Sequence, residues 1–99
     1  MLRHIVLFRM KATGDAERAA SVARLSGALT ALPPHIDQIR ALSVGANVLQ
    51  RPGNWDLALT VEVDDAAALE VYRVHPEHQK VLALVDELAA ERCAVDFTV

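Results

Sequence analysis

Tyr72, His75 and His78 form the densest group of chemically reactive side chains in the sequence. Pro76 suits the first turn of a helix, where its missing N–H costs no hydrogen bond. A helix that begins there would hold His75 and His78 close together, just after Tyr72. Two imidazoles and a phenol at this spacing could exchange protons, bind a metal ion or hold a polar small molecule.

Within this group, His78 is the leading candidate for a general acid–base catalyst, because an unperturbed imidazole titrates near pH ~6.5. It would remove a proton next to a substrate carbonyl, and Tyr72 would hydrogen-bond the enolate that forms. A structural alternative is that His78 lies on the surface, His75 satisfies local backbone groups, and Tyr72 belongs to the core.

The remaining reactive side chains give weaker signals. His4 lies on an apolar strand face, where it either points into the same cavity or is a core histidine with satisfied hydrogen bonds. Cys93 has no activating base nearby in sequence, so we expect a small buried residue and not a nucleophile. His75, His78 and Glu77 include metal-ligand types, but no fourth ligand accompanies them, so we expect no metal. The sequence has no phosphate loop or dinucleotide fingerprint, and we expect no cofactor.

Composition limits the classes of function. The chain has 99 residues, 53% of them hydrophobic, which predicts a single globular domain over residues 1–99. A net charge of −3 argues against a nucleic-acid partner or an anionic membrane surface. A single cysteine excludes an internal disulfide, and the first residues are too short and too polar for a membrane span. We therefore expect a cytoplasmic protein.

The hydrophobic pattern predicts six elements. Periods of two residues indicate strands, and apolar stripes at three- and four-residue spacing indicate helices. In chain order the pattern predicts a strand at Leu2–Met10, a helix from Thr13-Gly14-Asp15 to Pro33-Pro34, a strand within Ile36–Val48, a strand at Trp55–Val63, a helix from Ala66 to about Glu91 that breaks at His75-Pro76, and a strand at Cys93–Val99.

This β-α-β-β-α-β order predicts an α+β, ferredoxin-like fold, in which two helices cover one face of a four-stranded antiparallel sheet. The other face would carry Ile5, Leu7, Ala58 and Thr60. Because an exposed apolar face of this kind is unusual without a function, we expect a homodimer that pairs two such faces.

Several segments together resemble one known family, the stress-responsive A/B barrel (Dabb) family. The resemblance spans essentially the whole chain, and its most specific part is the Tyr-x-x-His-Pro-x-His pattern. It rests on Leu2-Arg3-His4-Ile5-Val6-Leu7-Phe8, Leu32-Pro33, Leu42-Ser43-Val44-Gly45-Ala46-Asn47, Trp55-Asp56-Leu57-Ala58-Leu59, Tyr72-Arg73-Val74-His75-Pro76-Glu77-His78 and Val95-Asp96-Phe97.

The resemblance implies a dimeric α+β barrel, but it implies no single reaction. Some plant members resemble polyketide cyclases, in which a Tyr and a His that match Tyr72 and His78 perform acid–base aldol chemistry. His4 and His75 also match pocket positions, whereas a further histidine of the cyclases is absent and Leu57 is nearest its place. The resemblance therefore implies Tyr72 and His78 as catalytic residues. The ligand-binding residues that we expect are His4, His75, Val6, Phe8, Leu57 and Leu59.

Three functions remain open. The first is a dimer that binds a small, largely apolar molecule and acts as a cofactor-free cyclase or isomerase on a carbonyl or polyketide-like compound. The second is a non-catalytic stress or assembly protein whose pocket is filled by its own side chains. The third is a cofactor-independent monooxygenase, which rests on fold analogy.

Overall fold

The computed structural model describes all residues from Met1 to Val99. Four strands form one antiparallel sheet in the order β2-β3-β1-β4. The elements are β1 Leu2–Met10, α1 Asp15–Thr30, a short 3-10 turn at Pro33–His35, β2 Ala41–Ala46, β3 Leu57–Val63, α2 Ala66–Val74, α3 Pro76–Leu88 and β4 Ala89–Thr98. The predicted ferredoxin-like fold is confirmed, with the second helical segment divided into α2 and α3.

Three strands differ from their predicted bounds, and the smallest difference is in β3, which begins at Leu57 and not at Trp55. β2 is shorter than Ile36–Val48, because Ile36 is fully buried in the core and ends the 3-10 turn before the strand begins. β4 begins at Ala89 and not at Cys93, because α3 ends at Leu88 and the chain enters the sheet at once. Alanine favours helices in general, but here the pairing of Ala89 with Met10 takes precedence.

The core lies between one face of the sheet and the helices. β1 and β3 alternate as expected for strands with one face buried, and Val61 and Val63 are completely inaccessible to solvent. Leu25 and Leu29 cover these strands from α1. The remaining buried side chains are Val6, Phe8, Met10, Leu32, Ile36, Leu57, Leu59, Tyr72, His78, Val81, Val85 and Leu88.

The boundary between α2 and α3 is set by local hydrogen bonds. Asp65 caps the start of α2 by accepting a hydrogen bond from the Ala68 N–H at 2.8 Å. His75 is extended and ends α2, and its Nδ1 accepts from the Glu77 N–H at 3.1 Å to cap α3. Pro76 occupies the first position of α3, where it has no backbone donor to leave unsatisfied.

β4 forms an edge of the sheet, and residues 90–98 are all exposed. Its register pairs Cys93 with Leu7 and Val95 with Ile5, so these side chains share the face turned away from the helices. The prediction that Cys93 is a buried core residue is wrong, since the thiol lies on an open strand. We use the term outer face for the side chains on this side of the sheet, namely Ile5, Leu7, Ala58, Thr60, Cys93, Val95 and Phe97.

No helix is both long enough and apolar enough to cross a lipid bilayer.

The substitution Leu25→Ala tests the core. Leu25 is completely buried, so we expect the free energy of unfolding to fall by about 2–5 kcal/mol through lost burial and a residual cavity. Urea denaturation followed by circular dichroism measures the change. Leu49→Ala is the matched control, because Leu49 is 55% exposed and should change stability by no more than about 0.5 kcal/mol. Equal losses in the two variants would contradict the core assignment.

Candidate functional site

A cavity of about 300 Å³ lies between the helix-facing side of β1 and β4 and the helices α2 and α3. Ten of its fourteen lining residues are hydrophobic, so it suits a ligand with a large apolar part. Its polar functional groups come from His4, Tyr72, Arg73, His78 and Arg92.

The helix break fixes the position of His78. In an uninterrupted helix the Arg73 carbonyl would accept from the N–H of Glu77, but that N–H is taken by His75. The freed carbonyl instead accepts a hydrogen bond from His78 Nδ1 at 2.8 Å and another from the side-chain amide of Gln79 at 2.9 Å. The end of one helix therefore anchors the imidazole carried by the next.

This anchor also sets the tautomer of His78. A carbonyl oxygen only accepts hydrogen bonds, so Nδ1 carries the proton and Nε2 of the neutral ring keeps its lone pair. Burial lowers the pKa of His78, because the ring is only 9% exposed and its charged form loses hydration. The hydrogen bond to Arg73 opposes this shift, while the positive charges of His4, Arg92 and Arg73 add to it. His78 is therefore a neutral base near neutral pH.

Tyr72 supplies the complementary group. Its ring centroid lies 4.4 Å from that of His78, and the phenol oxygen is buried with no hydrogen-bond partner. Burial raises the pKa of Tyr72 to about 12, so the hydroxyl stays protonated and remains a donor. Because a buried unsatisfied donor is costly, a ligand oxygen at this position would gain a hydrogen bond that the protein itself does not provide.

His4 contributes a second imidazole from β1. Its ring meets Tyr72 edge-on at a centroid distance of 6.3 Å. The Nδ1 of His4 hydrogen-bonds the carboxylate of Asp96, the residue directly opposite it on β4. The carboxylate fixes the orientation of the ring, which leaves Nε2 as the free polar atom of His4.

Six of the eight predicted site residues line this cavity, which places Tyr72 and His78 beside His4, Val6, Phe8 and Leu59. His75 does not line it, because its imidazole caps α3 and thus satisfies local backbone groups. Leu57 does not line it either, since it lies beyond Leu59 along β3 and is buried in the core opposite Phe8.

Three residues that the structure places at this cavity were absent from the predicted set. Arg73 and Arg92 line the cavity, and Asp96 orients His4. The face of Arg92 and Asp96 follows from their partners, because residues that lie opposite Phe8 and His4 share a face with them. That inference requires the strand register, which the pattern of residues in β4 does not define.

No group of three or more His, Cys, Asp or Glu side chains is arranged to hold a metal ion. The cavity lining combines proton donors and acceptors with two arginine residues in an otherwise apolar surface.

Comparison with known proteins identifies the family to which this fold belongs. The family model described as "Stress responsive A/B Barrel Domain" (Dabb) matches residues 2–99. The chain belongs to the Dabb family. A relative in Streptomyces coelicolor, an uncharacterised protein, is 36% identical over 89 residues, which cover 90% of this chain and 91% of the relative.

Two solved structures are similar to this Dabb protein over nearly its whole length. A dimeric protein of unknown function from Bacteroides fragilis has a TM-score of 0.87 and 32% identity, covering 99% of this chain and 95% of that one. A dimeric ferredoxin-like protein of unknown function from Thermobifida fusca has a TM-score of 0.83 and 31% identity, covering 99% and 90%.

More distant structures share the fold alone. An antibiotic biosynthesis monooxygenase has a TM-score of 0.77 at 16% identity, covering 100% of this chain and 98% of that one. The hydroxynitrile lyase of Passiflora edulis has a TM-score of 0.73 at 14% identity, covering 99% and 92%. Proteins of this architecture thus bear names of unrelated activities, so function must be argued from the Dabb chain's own side chains.

The lowered pKa of His78 predicts how stability depends on pH. The unfolded chain binds this proton near pH ~6.5, whereas the folded protein binds it only at a lower pH. Between the pKa of the folded protein and that of the unfolded chain, the unfolded state therefore binds more protons. The contribution of His78 to the free energy of unfolding is complete above pH ~6.5 and is lost as the pH falls from there to the folded-state pKa.

Proton NMR titration should place the midpoint of His78 below 6.5, the ordinary value for histidine. Urea unfolding at several pH values should show a smaller loss of stability on acidification in His78→Gln than in the wild-type protein. A midpoint at or above 6.5 would contradict the proposed state of the ring.

Proposed function

We propose that this Dabb protein binds a carbonyl compound in its cavity and catalyses cofactor-free proton transfer next to the carbonyl group, as in a cyclisation or an isomerisation. One observation carries the proposal: a neutral imidazole base and an unpartnered phenol donor adjoin one another in a single, mainly apolar cavity. The two groups have the opposite roles that enolisation requires.

Each group has a defined task. His78 Nε2 takes the proton from the carbon next to the carbonyl, and the electron pair of that C–H bond moves onto the carbonyl oxygen. The Tyr72 hydroxyl donates a hydrogen bond to this oxygen and stabilises the enolate. The mainly apolar lining lowers the local dielectric, which strengthens that hydrogen bond.

The imidazolium then returns its proton, and the place of return decides the product. If the ketone carries a β,γ double bond, the enolate is a dienolate, and delivery of the proton to its γ-carbon moves the double bond and isomerises the compound. If the enolate carbon instead attacks a second carbonyl of the same molecule, a ring closes and the proton goes to the new alkoxide. Either sequence leaves His78 neutral again, so no oxidant, reductant or metal ion is consumed.

A second function, non-catalytic assembly, is favoured by the outer face. This surface has an apolar centre whose flanking charges are already paired within the chain, Arg3 with Glu62 at 2.6 Å and Arg9 with Glu91 at 3.2 Å. Val95 is 55% exposed and Phe97 is 38% exposed on it. We propose that two copies pair through this face around a two-fold axis, as is consistent with the dimeric relatives from B. fragilis and T. fusca.

Deuterium exchange tests the catalytic proposal. We expect the protein to accelerate exchange of the protons next to the carbonyl of methyl hexyl ketone in D₂O, followed by NMR. His78→Gln should lower the catalysed rate by about 100- to 10,000-fold, and Tyr72→Phe by about 100- to 1,000-fold.

His35→Gln is the matched control, because His35 is an exposed histidine outside the cavity and should leave the rate unchanged. Circular dichroism of each variant shows whether the fold is retained. If wild-type protein and folded His78→Gln exchange the ketone equally, the catalytic role of His78 is excluded.

A separate variant tests the dimer. Leu7→Asp places a carboxylate in the centre of the outer face, where pairing with a second copy would bury it without a partner. Light scattering coupled to gel filtration should show a monomer or an aggregate. Val71→Asp is the control, because Val71 is 43% exposed on α2 and the dimer should persist. An unchanged dimer in Leu7→Asp would show that another surface forms the interface.

A further inference from the structure

The cavity carries an excess of positive charge in an acidic protein. The chain has 13 acidic and 10 basic side chains, not counting histidine. The cavity lining reverses this balance: it includes two arginines and two histidines, and no aspartate or glutamate. A lining of one sign in a low-dielectric cavity attracts molecules of the opposite charge.

Arg92 is the source of the unbalanced charge. Arg73, the other arginine of the lining, already forms two hydrogen bonds with Glu70, at 3.0 and 3.2 Å. Arg92 forms no ion pair, although six of the other seven arginines pair with a carboxylate, namely Arg3, Arg9, Arg18, Arg24, Arg40 and Arg73. The remaining arginine, Arg51, lies exposed in the loop between β2 and β3.

The strand register separates Arg92 from the end of the cavity where the His4 ring meets Tyr72. Arg92 lies opposite Phe8 on β4, whereas Asp96 lies opposite His4, and both side chains face the helices. Four residues along a strand span about 13 Å at ~3.3 Å per residue. Between these positions are Val6 and Ala94, which form an apolar floor. A ligand that reaches both ends therefore needs polar groups separated by an apolar segment.

We infer that the ligand of this cavity is a carbonyl compound that also bears a carboxylate, and that Arg92 binds the carboxylate while Tyr72 and His78 engage the carbonyl. This inference rests on the proposed function and adds the class of substrate to it. A guanidinium offers paired N–H donors that match the two oxygens of a carboxylate, and such charge-assisted hydrogen bonds are among the strongest in proteins. Arg92 acts as a specificity-determining residue at the opening of the cavity.

The bound carboxylate would also act on the base. Arg92 is one of the positive charges that lower the pKa of His78, together with His4 and Arg73. Neutralising Arg92 with an anion removes part of this repulsion, so His78 becomes a stronger base when the carboxylate is present. Asp96, Tyr72 and Cys93 are the other titratable residues around the cavity; Asp96 is engaged by His4, and Tyr72 stays protonated.

A matched pair of ligands tests the inference. Methyl hexyl ketone carries only the carbonyl, and the same ketone with its terminal methyl replaced by a carboxylate carries both groups. Titration calorimetry with the full-length wild-type protein should show about tenfold to hundredfold tighter binding of the keto acid. Arg92→Gln should remove that preference, so that the keto acid binds the variant no more tightly than the plain ketone does. Arg51→Gln, which removes the other unpaired arginine, should keep it.

The outcomes separate the two claims. The proposed function survives if the ketone binds and its deuterium exchange depends on His78. The role of Arg92 is nevertheless overturned if the keto acid binds no tighter than the ketone, or if it still binds tighter in Arg92→Gln. If neither compound binds to the wild-type protein at millimolar concentration, both fall together. If Arg92→Gln and Arg51→Gln both lose the preference for the keto acid at low salt, the preference comes from general charge attraction. That result would also overturn the specific role of Arg92.

Discussion

The interruption of the helical segment at His75-Pro76 is the constraint on which the site depends. Pro76 removes one backbone donor, and the side chain of His75 takes the next one from Glu77. The Arg73 carbonyl is therefore left without a helical partner and binds the imidazole of His78. A continuous helix would satisfy that carbonyl internally and leave the orientation of His78 unspecified. The carbonyl group that the end of α2 leaves without a helical partner thus orients the imidazole of His78.

Burial then gives the neighbouring groups opposite properties. Loss of hydration disfavours the charged form of each, so it keeps the imidazole of His78 neutral and the phenol of Tyr72 protonated. No charged partner is needed to establish this difference, because an apolar wall is sufficient. The unpartnered Tyr72 hydroxyl lowers the stability of the protein, because a buried donor without an acceptor loses its hydration and gains no hydrogen bond in exchange.

Much of the fold followed from local pattern, whereas parts of the site did not. The alternation in β1 and β3 and the break at Pro76 were readable because each depends on residues adjacent in sequence. The contribution of β4 side chains to the cavity could not be predicted from the sequence. It depends on the pairing of β4 with β1, whose residues lie about ninety positions away in the chain. His75 resembled a cavity residue by type, but it caps α3 because its own backbone conformation brings Nδ1 to Glu77.

The alternation of β4 keeps two surfaces separate within one strand. Odd-numbered residues such as Val95 and Phe97 contribute to the outer face, and even-numbered residues such as Arg92 and Asp96 face the helices. Substitutions can therefore alter either surface independently over evolution. Insertion or deletion of one residue would exchange the two sets at once, directing valine and phenylalanine into the cavity and ionic groups outward. We therefore expect the length of β4 to be conserved among relatives more strongly than the identity of its residues.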